Sequence, residues 1–416
     1  MSSQQTLSQL NNGELSGVTR LQLSENLSHF PEAVFDLADS LEILDLSNNL
    51  LSELPDDLYR LTHLRILFCS NNCFKVLPAV LGKCKKLEMI GFKNNQIHTV
   101  SSESLPTWTR WLILTDNQIT LLPDDFGRLA RLQKLALAGN RLTSLPESIK
   151  QCKRLELIRI AANRLTEFPN QILTLPRLAW LAFSGNPFSV PRYSHDEFQT
   201  VEFNHLNLHQ VLGEGASGVI SKANWNNNLY DFPKNVAIKV FKGDVTSDGY
   251  PEDELDTCLA VGDHVNLVKP LAKIKEADCS ALVMALIPDN YTNLGHPPSF
   301  ETCTRDTFTD GQSFSIKRIA ELIDQVDQLI QHFERKQVSH GDLYAHNALV
   351  NQQGHLLFGD FGAASKYNNL TDKQQESIKK IEQRAVRHFI DDMLSLCNET
   401  DKESESYYQL RDRVNT

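Results

Sequence analysis

Asparagines recur at positions 26, 49, 72, 95, 117, 140, 163 and 186, in steps of 23, 23, 23, 22, 23, 23 and 23 residues. Apolar residues precede them at fixed offsets: Leu41, Leu44 and Leu46 before Asn49, Leu64, Leu67 and Cys69 before Asn72, Leu132, Leu135 and Leu137 before Asn140. A period of this length forces each unit to stack on its neighbours, since one coil cannot bury its own apolar face. The LxL spacing puts alternate side chains of a short strand on one side. Each leucine buried there contributes about 1.5 to 3 kcal/mol. The asparagine amide is suited to satisfy backbone groups where the chain turns off the strand.

Period and pattern together resemble the leucine-rich repeat over residues 18–191, behind a leader at 1–17. Leu54-Pro55, Leu77-Pro78, Leu122-Pro123 and Leu145-Pro146 fall at one slot and narrow the resemblance to its short, 23-residue type. It implies an α/β solenoid of eight repeats. Cys69, Cys84 and Cys152 occupy leucine slots and read as small core residues. The positions alternating with the strand leucines form the concave face: Ile43, Ile66, Phe68, Met89, Trp111, Ile113, Leu157 and Trp180, with Asp45, Lys134 and Arg159 between them. So many apolar side chains on one face point to a docking surface for a protein partner or substrate, or to a face covered by other parts of this chain.

The period stops after Pro191, and a polar stretch, 192–202, reads as a linker. Beyond it, GEGASG supplies Gly213, Gly215 and Gly218 between two strand-like stretches. Glycines let a hairpin backbone lie close over phosphates with its N–H groups available. VISKANWNNNL after the motif lacks helical periodicity, which disfavours a dinucleotide-binding fingerprint. VAIKV with Lys239, an acidic helical stretch with Glu254, HGDLYAHN with Asp342 and Asn347, and GDFG with Asp360 then follow in order. That order resembles the eukaryotic-type protein kinase domain, and implies a two-lobed α+β fold over 203–416.

The resemblance assigns ATP and Mg2+ as cofactors. Leu212, Gly213, Glu214, Gly215, Ala216, Ser217, Gly218 and Val219 would form the loop over the phosphates, with Ile220 and Ala237 against the purine. Met284 would be the gatekeeper, and Leu286 would lie in the hinge beside adenine. Lys239 would reach the phosphates, held by Glu254, with Glu252 and Asp253 as competing candidates. Asp342 would orient and deprotonate the acceptor hydroxyl, while Asn347 and Asp360 would supply oxygen ligands to the metal.

The chain departs from the family in three places. His340-Gly341-Asp342 lacks the arginine that pairs with a phosphorylated activation loop, so control by loop phosphorylation is not expected. Tyr344 stands where a lysine is usual, removing one positive charge near the γ-phosphate. No APE motif follows DFG, and Glu382 begins the helical stretch IEQRAVRHFIDDML, which implies a reduced C-lobe with Glu382 in place of the family's aspartate. SIKRIAELIDQVDQLIQHF places Ile316, Ile319, Ile323, Val326, Ile330 and Phe333 at helical spacing, the long helix expected before the catalytic loop. The expectation is a protein kinase, serine/threonine by analogy, with an ATP-binding scaffold or a small-molecule phosphotransferase as alternatives.

The net charge is −11, and the excess acid lies in the second half. No extended basic patch is present, so nucleic acid is not an expected partner. The longest strongly apolar run, Ala281 to Ile287, is far short of the roughly 20 residues a bilayer requires. No basic, then apolar, secretory pattern opens the sequence, and eight cysteines without a CxxC pair read as reduced thiols. A cytoplasmic protein is expected.

Overall fold

The computed structural model describes residues 5–189, 198–215, 217–242, 245–276 and 279–415. These form two compact units, Met1–Leu178 with Asn186–Phe188, and Ala179–Gly185 with Ser189–Thr416. Most of the expected linker, 192–197, lies outside the described residues. The rest of it is not linker in form, because Gln199–Thr200 is a strand and Val201 is buried in an apolar core.

A short helix, α1 (Leu7–Asn11), closed by a Thr6/Gln9 capping box, precedes the repeats. Eight three-residue strands follow, β1 to β8, at Arg20–Gln22, Ile43–Asp45, Ile66–Phe68, Met89–Gly91, Trp111–Ile113, Lys134–Ala136, Leu157–Arg159 and Trp180–Ala182. They lie in sequence order in one parallel sheet. Each return path carries a short turn of 3-10 helix, as a 23-residue coil has no room for a longer helix.

The asparagine spine is visible atom by atom. Asn117 Nδ2 donates to the carbonyls of Phe92, Leu114 and Thr115, while its Oδ1 accepts from the Ile97 amide at 2.9 Å. Asn49, Asn72, Asn95, Asn140, Asn163 and Asn186 repeat this bridge to the preceding coil and are all buried. Asn26 does not. It is exposed with φ 56°, and among the described residues no earlier coil lies against it. The residue before each buried asparagine takes the left-handed conformation instead, at Asn48, Asn71, Asn94, Asp116, Gly139, Ala162 and Gly185.

The concave face differs from expectation. Ile66, Met89, Leu157, Arg159 and Trp180 are buried, whereas Ile43, Phe68, Trp111, Ile113, Asp45 and Lys134 are half-buried. Cys69, Cys84 and Cys152 are core residues, and all eight cysteines are free thiols.

The second unit opens with a mixed sheet of β9 (Gln199–Thr200), β10 (Leu206–Glu214), β11 (Gly218–Trp225), β12 (Asn235–Phe241), β13 (Pro270–Glu276) and β14 (Cys279–Ala285). Its order is β10-β11-β12-β14-β13-β9, and helix α2 (Pro251–Val261) follows β12 in sequence. Strands β15 (Tyr291–Asn293), β17 (Ala348–Asn351) and β18 (Leu356–Phe358) form a small sheet, and β16 (Val338–Ser339) pairs with β19 (Ser365–Lys366). Helices α3 (Ile316–Lys336), α4 (Asp372–Ser395) and α5 (Glu405–Asn415) complete the C-lobe.

Helix α3 buries Ile319, Leu322, Ile323, Val326, Leu329, Ile330 and Phe333, one stripe at 3.6 spacing. Helix α4 starts at Asp372, ten residues before Glu382, because Thr371 and Gln374 form a capping box there. Eleven residues, 361–371, therefore connect Asp360 to α4. Among the described residues, no helix is long and apolar enough to cross a membrane.

Replacing Asn117 by alanine strands the buried Ile97 amide, which should cost about 1 to 3 kcal/mol. Urea unfolding checks this against exposed Lys150→Ala, expected within about 0.5 kcal/mol of the parent. Coincident midpoints for Asn117→Ala and the parent would remove the spine from the account.

Candidate active site

Strand β12 presents Lys239 opposite Ile220 of β11 and Leu282 of β14, which fixes the direction of its side chain. Its ammonium forms an ion pair with Glu254 of α2, and both residues are buried. Glu252 and Asp253 do not take that role, for Glu254 sits one turn into α2 on the face that meets the strand. Asp360 Oδ1 stands 4.0 Å from the same ammonium. Burial alone would lower the Lys239 pKa, but Glu254 and Asp360 more than offset it and hold the lysine charged, above its ordinary value.

A cleft of about 110 Å3 opens beside this pair, lined by Gly215, Ser217, Gly218, Ile220, Lys239, Asp248, Asp360 and Gly362. A Cβ added at Gly213 or Gly215 would meet nothing within 4 Å, so the loop leaves open space beneath its backbone. Gly218 has no such freedom, because a Cβ there would strike the Val240 carbonyl. Glu254 Oε2 is a buried oxygen without a hydrogen-bond partner in the protein. An open backbone cradle, a charged lysine and a nearby carboxylate fit a nucleotide triphosphate and its metal.

Asp360 faces the cleft with 53% of its side chain exposed. The partial burial of the cleft would raise its carboxyl, yet Lys239 and the Gly362 amide, donating at 3.0 Å, hold it below the usual aspartate value. Phe361 next to it is buried against His340, with ring centroids 5.7 Å apart, and His340 also meets Phe358 and Phe333. This aromatic cluster sets the backbone that aims Asp360.

Asp342 and Asn347 form a clamp across the loop between β16 and β17. Asn347 Nδ2 donates to the Asp342 carbonyl at 3.0 Å and to its Oδ2 at 2.8 Å, which turns the Asn347 amide oxygen away as a hard donor. The Asp342 amide donates to His340 Nδ1 at 3.3 Å. His346 is held by Asp306, whose Oδ2 accepts from the His346 amide at 3.0 Å.

The other expected residues are spread more widely. Ala237 and Met284 face each other across β12 and β14, both buried, and with Val219, Leu286 and Leu212 they lie outside the cleft lining. Leu212 is 48% exposed. Glu214 is exposed and paired with Lys242 rather than directed at the cleft. Ala216 lies outside the described residues. Asp342 and Asn347 are absent from the cleft lining too. Asp248 and Gly362 line the cleft but were missed. Gly362 was signalled as the last residue of DFG, whereas no motif marks Asp248.

Glu382 lies within α4, and its carboxylate accepts from Ser339 Oγ and from the His340 amide at 3.1 Å. Burial pushes this carboxyl up to about 7, against the donors of Ser339, His340 and Gly341 and helped by Glu334. A folded-state pKa above the ordinary glutamate value means the native protein keeps a proton that the unfolded chain has lost. The resulting stability is full below the unfolded pKa and is lost as pH rises through about 7. Glu382→Gln should therefore gain stability relative to the parent between about pH 5 and about pH 8, read from paired unfolding curves. A constant difference across that range would contradict the assignment.

Comparison with known proteins finds likenesses for both parts of the chain. A family described as protein tyrosine and serine/threonine kinase matches residues 206–389, and the leucine rich repeat matches residues 39–97. Fibroblast growth factor receptor 1 of Xenopus laevis is 26% identical over 203 residues, 46% of this chain and 25% of that protein. Leucine-rich repeat and calponin homology domain-containing protein 1 of Mus musculus is 30% identical over 115 residues, 27% of this chain and 16% of that protein. The chain thus spans a quarter or less of the length of these curated relatives. A solved LRR protein of Leptospira interrogans is 24% identical, covering 43% of this chain and 57% of that one, with a TM-score of 0.29. This chain carries a leucine-rich repeat region followed by a protein kinase domain.

Proposed function

We propose that the chain is an ATP- and Mg2+-dependent protein kinase acting on serine or threonine, with its repeats recruiting the substrate or partner. The observation that carries the reading is the buried Lys239–Glu254 ion pair at the cleft, with Asp360 4.0 Å from the lysine. A buried pair of this kind costs desolvation energy and adds little to stability by itself, so a role in the cleft accounts for it better than a role in folding. ATP supplies the phosphoryl group, and Mg2+ neutralises the charge on its oxygens.

The protein's part is positioning and charge. The open space over Gly213 and Gly215 would leave room for the phosphates, and Lys239, oriented by Glu254, would meet the α- and β-phosphates. Asp360 and the Asn347 amide oxygen serve as metal ligands. Asp342, whose carboxylate is oriented by the Asn347 amide, takes the proton of the attacking hydroxyl. Tyr344 in the lysine position leaves less positive charge near the transferred group, which implies slow transfer. Eight cysteines free of disulfides support a reducing, cytoplasmic setting.

The two aspartates fail differently under this reading. Asp342→Asn should lower transfer by about 100-fold to 10,000-fold while nucleotide affinity stays nearly constant. Asp360→Asn should weaken magnesium-dependent nucleotide binding along with transfer. Nucleotide titration and transfer assays on both variants decide it, and full transfer by Asp342→Asn sinks the kinase reading. Phosphotyrosine as the main product on a mixed peptide substrate would overturn the serine/threonine assignment alone.

For the repeats, half-buried Trp111, with Lys134 Nζ 4.2 Å from its ring centroid, is the candidate anchor. Trp180 is withdrawn from that role by its burial. Trp111→Ala should weaken binding of a protein substrate that the parent phosphorylates by about 1 to 3 kcal/mol with ATP binding intact. Equal affinity for both proteins would remove the concave face from recruitment.

A further inference from the structure

The strand of the eighth repeat belongs to the kinase unit, since Ala179–Gly185 groups with Ser189–Thr416. Its contacts fall on the parts that catalysis depends on. Trp180, 1% exposed, stacks on Tyr344 of the catalytic loop with ring centroids 4.5 Å apart and planes at 10°. His388 of α4 stacks on the indole as well, at 5.0 Å and 18°. Trp180 Nε1 donates to the Leu343 carbonyl at 3.1 Å, one residue from Asp342.

Further along, the amides of Phe183 and Ser184 donate to Ser365 Oγ at 3.0 and 3.2 Å, just beyond the DFG motif. Gly185, at φ +69°, lies against α2: a Cβ there would come within 2.5 Å of Asp253 Oδ2 and 2.7 Å of the Tyr250 ring. Gly341, at φ +71°, is crowded in the same way, with the carbonyls of Ala363 and Leu181 at 2.6 and 2.7 Å from an added Cβ. Any side chain at the Gly341 position would therefore displace the strand, which gives the glycine of HGD a physical cause.

We propose that residues 179–185 are a built-in strut that holds the catalytic loop, the start of the post-DFG segment and α2 in their working arrangement, with Trp180 as the positioning residue for Asp342. This rests on the kinase reading above and adds its regulation. In kinases with an HRD arginine, a phosphorylated loop supplies the restraint. Here the connection from Asp360 to α4 is eleven residues long, and the strut bonds to Ser365 within it. Phosphorylation is then not needed to order the site.

The test compares full-length parent, Trp180→Ala, Trp180→Phe and Ser365→Ala by amide hydrogen exchange over 341–347 and by steady-state transfer. Trp180→Ala should speed exchange in 341–347 and lower kcat by about tenfold or more, with KM for ATP within about twofold. Trp180→Phe keeps the stacked ring and loses only the indole donor, so it should restore kcat to within about threefold of the parent. Ser365→Ala should fall between them. Phosphatase treatment of the parent should leave kcat unchanged.

A general loss of fold would move KM and kcat together and would not be rescued by phenylalanine. Should Trp180→Ala fail to fold, Ser365→Ala still decides through exchange. Exchange in 341–347 equal to the parent's in Trp180→Ala and Ser365→Ala, or faster exchange with unaltered kcat, overturns the strut. A parent that transfers no phosphate sinks the kinase reading instead, and the exchange arm still rules on the strut.

Discussion

The candidate site hangs from one buried carboxylate. Glu382, in the middle of α4, receives the hydroxyl of Ser339 and the amide of His340, so it fixes the chain two residues before Asp342. A buried carboxylate without donors would be costly, and buried amides without an acceptor equally so. Each side therefore satisfies the other, and the position of the loop follows from the position of the helix. Ser339 is also tied through β16 to Ser365 of β19, which places the residues after DFG on the same anchor.

The charges of the cleft are arranged around Lys239 in a way that no pair among them could sustain alone. Burial works against its ammonium, and Glu254 by itself would leave a neutralised pair with nothing directed outward. Asp360 at 4.0 Å lies on the exposed side, so the lysine joins a buried partner to an accessible one. Asp248 adds a further carboxylate to the lining near Gly362. With the accessible side so acidic, a polyanion enters only if cations accompany it, which agrees with a metal-bound nucleotide as ligand.

The repeat was legible because its signal is periodic and its bonds are local to adjacent coils. Asn26 shares the spacing yet not the environment, since its role depends on a preceding coil that a period cannot reveal. The motifs from Gly213 to Asp360 gave the order of the kinase elements, and the ion pair separated Glu254 from Glu252 and Asp253, which spacing left open. Burial was harder to read. Trp180 stands in a concave slot like Trp111, and alternation treats the two alike, but only Trp180 has a second aromatic element against it. Phe183 bonds Ser365 across 182 residues, and Asp248 meets Gly362 from the far side of α2 in sequence, and no local pattern reports such pairings.

The start of α4 shows why the reduced lobe remains ordered. A short connection after DFG leaves little chain to fold over the catalytic loop, and the aromatic face of Tyr344 would then lie open to water. Trp180 covers that face on one side of the indole while its other contact, His388, comes from α4. Tyr344 is thus better explained by packing than by chemistry: a lysine in its place would carry a charge into a stack that is 4% exposed at the tyrosine. The substitution that removes positive charge from the site and the substitution of glycine for arginine beside it are consequences of a single packing event.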